Sequence, residues 1–216
     1  GTQTVNVSGN VFRYADAGTV TPVPVNFGNH HVGDVVEQAL GVTNVATNDG
    51  FSERLNAAFG TVTGNLAGSG SVSLLGAGLS NSNAMKLTLD TSSAGNKSGS
   101  AVVNFVSDGS GTSGLGQTAL NGANGTVNEQ QTINADGAVF RLASASAHTP
   151  EPVVLANARV GGSSSQALTL SNTAVNDGFS ERLNATIGGA SAGLSASGSF
   201  SGLGASGSNG DGPKYV

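Results

Sequence analysis

Asn48-Asp49-Gly50-Phe51-Ser52-Glu53-Arg54-Leu55-Asn56-Ala57 recurs unchanged as Asn176 to Ala185. This block fixes a shift of 128 residues, and the match extends from it in both directions. Working back, Val11 to Ala57 aligns without a gap to Val139 to Ala185, with 27 of 47 positions identical. These include Val11-Phe12-Arg13 against Val139-Phe140-Arg141, Pro22 and Pro24 against Pro150 and Pro152, and Gln38-Ala39-Leu40 against Gln166-Ala167-Leu168. Working forward, Leu75-Gly76-Ala77 matches Leu203-Gly204-Ala205, and Lys86 matches Lys214. A period of 128 residues is the size of one domain.

The two copies are unequal. The second reaches Val216, the equivalent of Thr88, whereas the first continues through Leu89 to Ala138. That extra stretch holds Ser100-Ala101-Val102-Val103-Asn104-Phe105-Val106, the most strand-like run in the chain. Ahead of the first copy, Gly1 to Asn10 is the counterpart of Glu129 to Ala138, so Gln3-Thr4-Val5-Asn6-Val7 stands against Gln131-Thr132-Ile133-Asn134-Ala135. The expected divisions are a leading strand at 1–10, a first repeat at 11–128, a linker or inter-repeat strand at 129–138, and an incomplete second repeat at 139–216.

Within this frame the chain reads as short strands between glycine-rich turns. Met85, Leu87 and Leu89 alternate with Lys86, Thr88 and Asp90, the period of a half-buried strand. Ala101, Val103 and Phe105 share a face, as do Leu40 and Val42, and Val5 and Val7. Glu53 to Phe59 reads as extended rather than helical. Asp108-Gly109-Ser110-Gly111 and Asn121-Gly122-Ala123-Asn124-Gly125 are turn clusters. The expected fold is all-β: two tandem Ig-like β-sandwich domains, the second lacking its late strands.

Composition narrows the function. The 216 residues include 34 glycines, no cysteine and no tryptophan, and the net charge is −5. A disulfide framework and a thiol nucleophile are excluded. So few Lys and Arg residues suit neither nucleic acid nor an anionic membrane. No apolar run approaches the ~20 residues of a membrane-spanning helix, so neither a nucleic-acid partner nor membrane insertion is expected. Low charge, small residues and absent thiols suit an exported bacterial protein, extracellular or at the cell surface. Gly1 followed directly by strand-like sequence reads as a mature or trimmed start.

Val25-Asn26-Phe27-Gly28-Asn29-His30-His31-Val32-Gly33, leading to Val42-Thr43-Asn44, resembles the opening of an immunoglobulin-like repeat. With the Asn48–Asn56 block and Ser107 to Gly116, the pattern is similar to bacterial choice-of-anchor D repeats. That resemblance implies Ig-like modules of exported proteins, often tied to the cell surface. It speaks to fold and export more than to activity. The second copy departs at Val154-Leu155-Ala156, where Phe-Gly is expected.

Each candidate for chemistry has a structural reading beside it. Gly28, Gly33 and Asn48-Asp49-Gly50 mark turns. Arg54 is read as a partner of Asp49 or Glu53, or as a cap on sheet-end carbonyls, ahead of a ligand-binding arginine. His30-His31 is replaced by Ala158-Arg159, which favours a solvated pair over a metal site. His148 lies in another part of the repeat. Asp108 to Gly111 lacks the spaced carboxylates of a calcium loop. The Gly-Xaa-Gly pairs open no helix, and no Ser, His and Asp recur together. A Lys–Asn crosslink needs a buried lysine, and Lys86 falls on a polar strand face. No cofactor and no enzymatic activity are expected.

A sandwich without its late strands exposes five or six apolar side chains, at a cost of about 10 kcal/mol, comparable with the stability of a domain. Two readings of Thr2–Val7 follow: the first strand of domain one, or a donor that completes the groove by β-strand addition. The side chains assigned to assembly are Thr2, Val5, Val7, Phe200 and Tyr215. Head-to-tail repetition of that contact builds a fibre. The expected function is a non-catalytic structural module of a bacterial surface or biofilm-matrix protein, with other copies of itself or neighbouring repeats as partners. A glycan- or protein-binding adhesin domain is the alternative, with host or matrix glycans as ligands. Two tyrosines and no tryptophan offer little aromatic surface for a glycan.

Overall fold

The computed structural model describes residues 1–120 and 130–209, together with the backbone of 214–215. The described residues contain strands, turns and bends, and no helix. They form two compact units. The first comprises Gly1–Gly28, Val35–Asp90 and Asn96–Gly137; the second comprises Asn29–Asp34, Thr91–Gly95 and Ala138–Val216.

The first repeat supplies β1 (Val25–His31), β2 (Glu37–Thr43), β3 (Arg54–Gly64), β4 (Leu66–Ser69), β5 (Ser71–Leu75), β6 (Ser80–Leu89), β7 (Gly95–Asp108) and β8 (Gln117–Ala119). β9 (Gln130–Phe140) follows. One sheet runs β1-β9-β7-β3-β5 with β8 on β7, and the other runs β2-β6-β4. This is the strand distribution of an immunoglobulin-like sandwich, with the first strand beside the last. The period-2 pattern determines which faces meet. Met85, Leu87 and Leu89 of β6 are buried, and so are Leu40 and Val42 of β2. Opposite them lie Leu55 and Ala57 of β3, Ala101, Val103 and Phe105 of β7, and Ile133 and Ala135 of β9. Each fully buried large side chain contributes about 1.5–3 kcal/mol relative to exposure.

β9 is the strand at the phase boundary of the repeat. It lies between β1 and β7, so the stretch immediately before the second copy is a central strand of the first unit's sheet. Its sequence counterpart behaves differently. Residues 1–12 belong to no strand, and Val5 and Val7 are 80% and 89% exposed, whereas Ile133 and Ala135 are 0% and 4% exposed. The expectation that Thr2–Val7 is the first strand of domain one is therefore corrected. That strand is β1, and β9 already occupies the sheet position to which residues 2–7 correspond.

The second unit carries β10 (Gln166–Ala167), β11 (Leu170–Ser171), β12 (Leu183–Thr186), β13 (Ala196–Ser197), β14 (Ser199–Leu203), β15 (Ser208–Asn209) and β16 (Lys214–Tyr215). Their pairing repeats the first repeat at the same shift. Gln166 pairs with Tyr215 as Gln38 pairs with Leu87, and Leu183 with Leu203 as Leu55 with Leu75. Residues 153–159, the counterparts of β1, form no strand. Gly28 bends β1 with a φ of 74°, and the equivalent residue is Ala156, for which that conformation is costly.

Candidate assembly site

Both repeats are opened by the same clamp. The Phe12 and Phe51 rings lie 5.5 Å apart, and Phe140 and Phe179 lie 5.6 Å apart. Arg13 N–H donates to Phe51 C=O at 2.8 Å, and Glu53 N–H donates to Arg13 C=O at 2.9 Å; Arg141, Phe179 and Glu181 repeat both bonds. One guanidinium nitrogen, Arg13 Nη1, reaches both carboxylate oxygens of Asp49, at 2.9 and 2.8 Å, as Arg141 does with Asp177. Asp49 and Asp177 are held below the usual carboxylate range, first by the Phe51 and Phe179 backbone N–H groups and then by the arginines. The Asn-Asp-Gly turn needs its glycine: φ is 85° at both Gly50 and Gly178.

A second shared element is a buried asparagine. Asn44 donates to the carbonyls of Glu53 (3.2 Å) and Leu75 (3.0 Å) and accepts from the N–H groups of Asp16 (3.1 Å) and Ala46 (3.2 Å). Asn172 makes the same four bonds to Glu181, Leu203, Ser144 and Ala174. The sequence marks Asn44 as the end of a strand; its role in joining three segments emerges only from the fold.

The units diverge where β7 and β9 matter. Glu53 is buried, and its carboxylate accepts from Ser107 Oγ at 2.7 Å and from Ser113 Oγ. Glu181, identical in sequence, is exposed. Leu55, Ala57 and Val72 are buried in the first unit, but Leu183, Ala185 and Phe200 are only half-buried in the second. An open depression of about 460 Å³ lies over β12 and β14, lined by Asn184, Ala185, Thr186, Ser199, Phe200 and Ser201. In the first unit β7 pairs alongside β3, the counterpart of β12, and carries Val103 and Phe105 into the core.

Of the side chains assigned to assembly, Thr2, Val5 and Val7 lie exposed on the leading segment, and Phe200 lines this depression. Tyr215 is not on an open edge. Its backbone pairs with Gln166 and Ala196, placing it at the position of the core residue Leu87.

The charged candidates fall mainly into structural roles. Arg54 does not pair with Asp49, which Arg13 holds; its guanidinium lies close over Gly111. Asp108 accepts from the Ser110 hydroxyl and N–H, Gln117 and Asn56, and this set holds it far below the usual carboxylate range. Lys86 is exposed and bonds Glu37 at 2.9 Å; Lys97 of β7 is the buried lysine. In the second unit His31 Nε2 lies 2.7 Å from Glu181 Oε1, beside a cleft of about 430 Å³ that Asn29, Asp34 and Phe140 also line. The Glu181 hydrogen bond raises the His31 pKa. Among the described residues, no three His, Asp or Glu side chains gather to hold a metal.

No protein-family model matches this sequence, and no curated protein sequence matches it significantly. Among solved structures, the chain is similar to the ASH/PapD-like domain of human CEP192 (PapD-like domain 7), with a TM-score of 0.40 and 8% identity. The similarity covers 65% of this chain and 98% of that one.

Proposed function

We propose that this protein is a non-catalytic structural module of a bacterial extracellular surface or biofilm-matrix protein, assembled from repeats that exchange strands. One observation carries the reading: β9, which precedes the second repeat, is a central strand of the first repeat's sheet. A repeat of this phase is completed by chain outside its own conserved block, the arrangement from which strand-linked arrays are built. The small side chains and low charge support export, and the resemblance to choice-of-anchor D repeats supports a surface location. The buried polar groups support a structural role, because Asn44, Glu53 and Asp108 spend their hydrogen bonds on neighbouring chain segments.

Light scattering of the purified chain across a hundredfold concentration range, with electron microscopy of the concentrated sample, tests this reading. Mass that grows with concentration and ends in fibres is the expected result. A monomer at every concentration refutes the assembly.

A further inference from the structure

We propose that the first unit carries a binding site, built around Arg54, for a single hexuronic acid residue, a sugar bearing one carboxylate. The site is independent of strand exchange, because every residue it uses belongs to the first unit.

Its central feature is a guanidinium without an acceptor. Arg54 is half-buried at the start of β3, and its side chain lies against Gly111, where a Cβ would collide with it. Among the described residues, no hydrogen bond or ion pair takes up that guanidinium. The neighbouring carboxylates are committed elsewhere. Asp49 is held by Arg13 and the Phe51 N–H, and Glu53 by Ser107 and Ser113. Asp108, which stands opposite Arg54 in the β3–β7 pairing, is held by Ser110, Gln117 and Asn56. A partly desolvated guanidinium with its planar fork of donors unspent favours a bidentate carboxylate from outside the chain.

The cleft beside it has a volume of about 210 Å³ and is lined by Asn48, Ser52, Arg54, Gly76, Leu79 and Thr112. The Asn48 carboxamide and the Thr112 hydroxyl also take no partner among the described residues. Each can donate and accept, as the hydroxyls of a sugar ring do. Leu79, 56% exposed, supplies an apolar edge for ring carbons. Size and charge narrow the ligand further. The cleft is smaller than the ~300 Å³ at which drug-sized sites begin, so it takes one sugar residue rather than an extended chain. Around it two cations, Arg13 and Arg54, stand against three carboxylates, Asp49, Glu53 and Asp108. That balance tolerates a monoanion bound directly to Arg54 and opposes a phosphate dianion.

An NMR titration of the full chain with glucuronate, and with a short galacturonic acid oligomer, reads the site. Saturable shifts centred on Asn48, Arg54 and Thr112 are expected. Arg54→Lys keeps the charge but loses the fork, and weakens binding by about tenfold. Thr112→Val, at an exposed position, weakens it by about threefold. Arg182→Lys, at the equivalent position of the second unit, where the guanidinium donates to the Gly202 carbonyl, leaves it unchanged. Circular dichroism verifies that the variants are folded. Glucose binding as tightly as glucuronate, or undiminished binding in Arg54→Lys, overturns the role of the guanidinium. Saturation by inorganic phosphate or by an aspartate-rich peptide, with none by either uronate, overturns the sugar acid. Absence of any saturable shift overturns the site.

Discussion

Ile133→Ala and Val5→Ala change equivalent repeat positions, and the structure gives them opposite outcomes. Ile133 is fully buried in β9, packed in the core with Val103 and Phe105 of β7 and Leu40 of β2. Truncation removes three carbons, about 2.4 kcal/mol of lost transfer energy at ~0.8 kcal/mol per carbon. Incomplete collapse of the cavity raises the total to about 3–4 kcal/mol. For a unit of this size, that lowers the melting temperature by roughly 10–15 °C. Val5 is 80% exposed, so Val5→Ala changes stability by less than about 0.5 kcal/mol. Calorimetry on dilute protein separates the two. Calorimetric shifts that are equal for the two variants, or a loss below about 1 kcal/mol for Ile133→Ala, refute the placement of β9 as a core strand.

Asn44→Ala orphans two carbonyls and two N–H groups and costs about 2–4 kcal/mol in urea titration. Glu53→Gln disturbs a buried carboxylate held by two hydroxyls and costs about 1–3 kcal/mol, whereas Glu181→Gln leaves thermal stability near neutral pH almost unchanged. Asp49, Asp108 and Asp177 have folded pKa values below their unfolded ones. Their stabilisation is complete above the ordinary carboxylate range and is lost as pH falls through the lowered values, so circular dichroism should show unfolding in acid below about pH 4. His31 has the opposite sign. Its folded pKa is raised, so the contact with Glu181 contributes fully below the unfolded value of about 6.5 and fades as pH rises through the folded value. An NMR titration of His31 should move down toward the ordinary value in Glu181→Gln.

Much of the fold was legible because alternation survives in strands buried on one face. Met85, Leu87 and Leu89, and Ala101, Val103 and Phe105, point where period 2 sends them. The repeat located the clamp residues but not their partners. Arg54 stands next to the Asn-Asp-Gly turn in sequence, yet Arg13, 36 residues from Asp49, takes that carboxylate. Residues this far apart meet through the parallel bridge of Arg13 to Ser52, which leaves no local periodic signal. Glu181 shows why a motif can mislead: its sequence is that of a buried residue, but burial comes from Ser107 and Ser113 in the first repeat, not from the motif.

That dependence bears on the repeat as a whole. The identical block Asn48–Ala57 governs the opening clamp and β3, both local matters, and it is as perfect in the second copy as in the first. The core, however, is closed by β7 and β9, whose residues stand 38 or more positions beyond the block. Conserving the block therefore preserves the half-sandwich of β10 to β16 and its hydrogen bonds, including all four of Asn172. It does not by itself bury Leu183 and Phe200, whose counterparts Leu55 and Val72 lie in the core that β7 and β9 help to form.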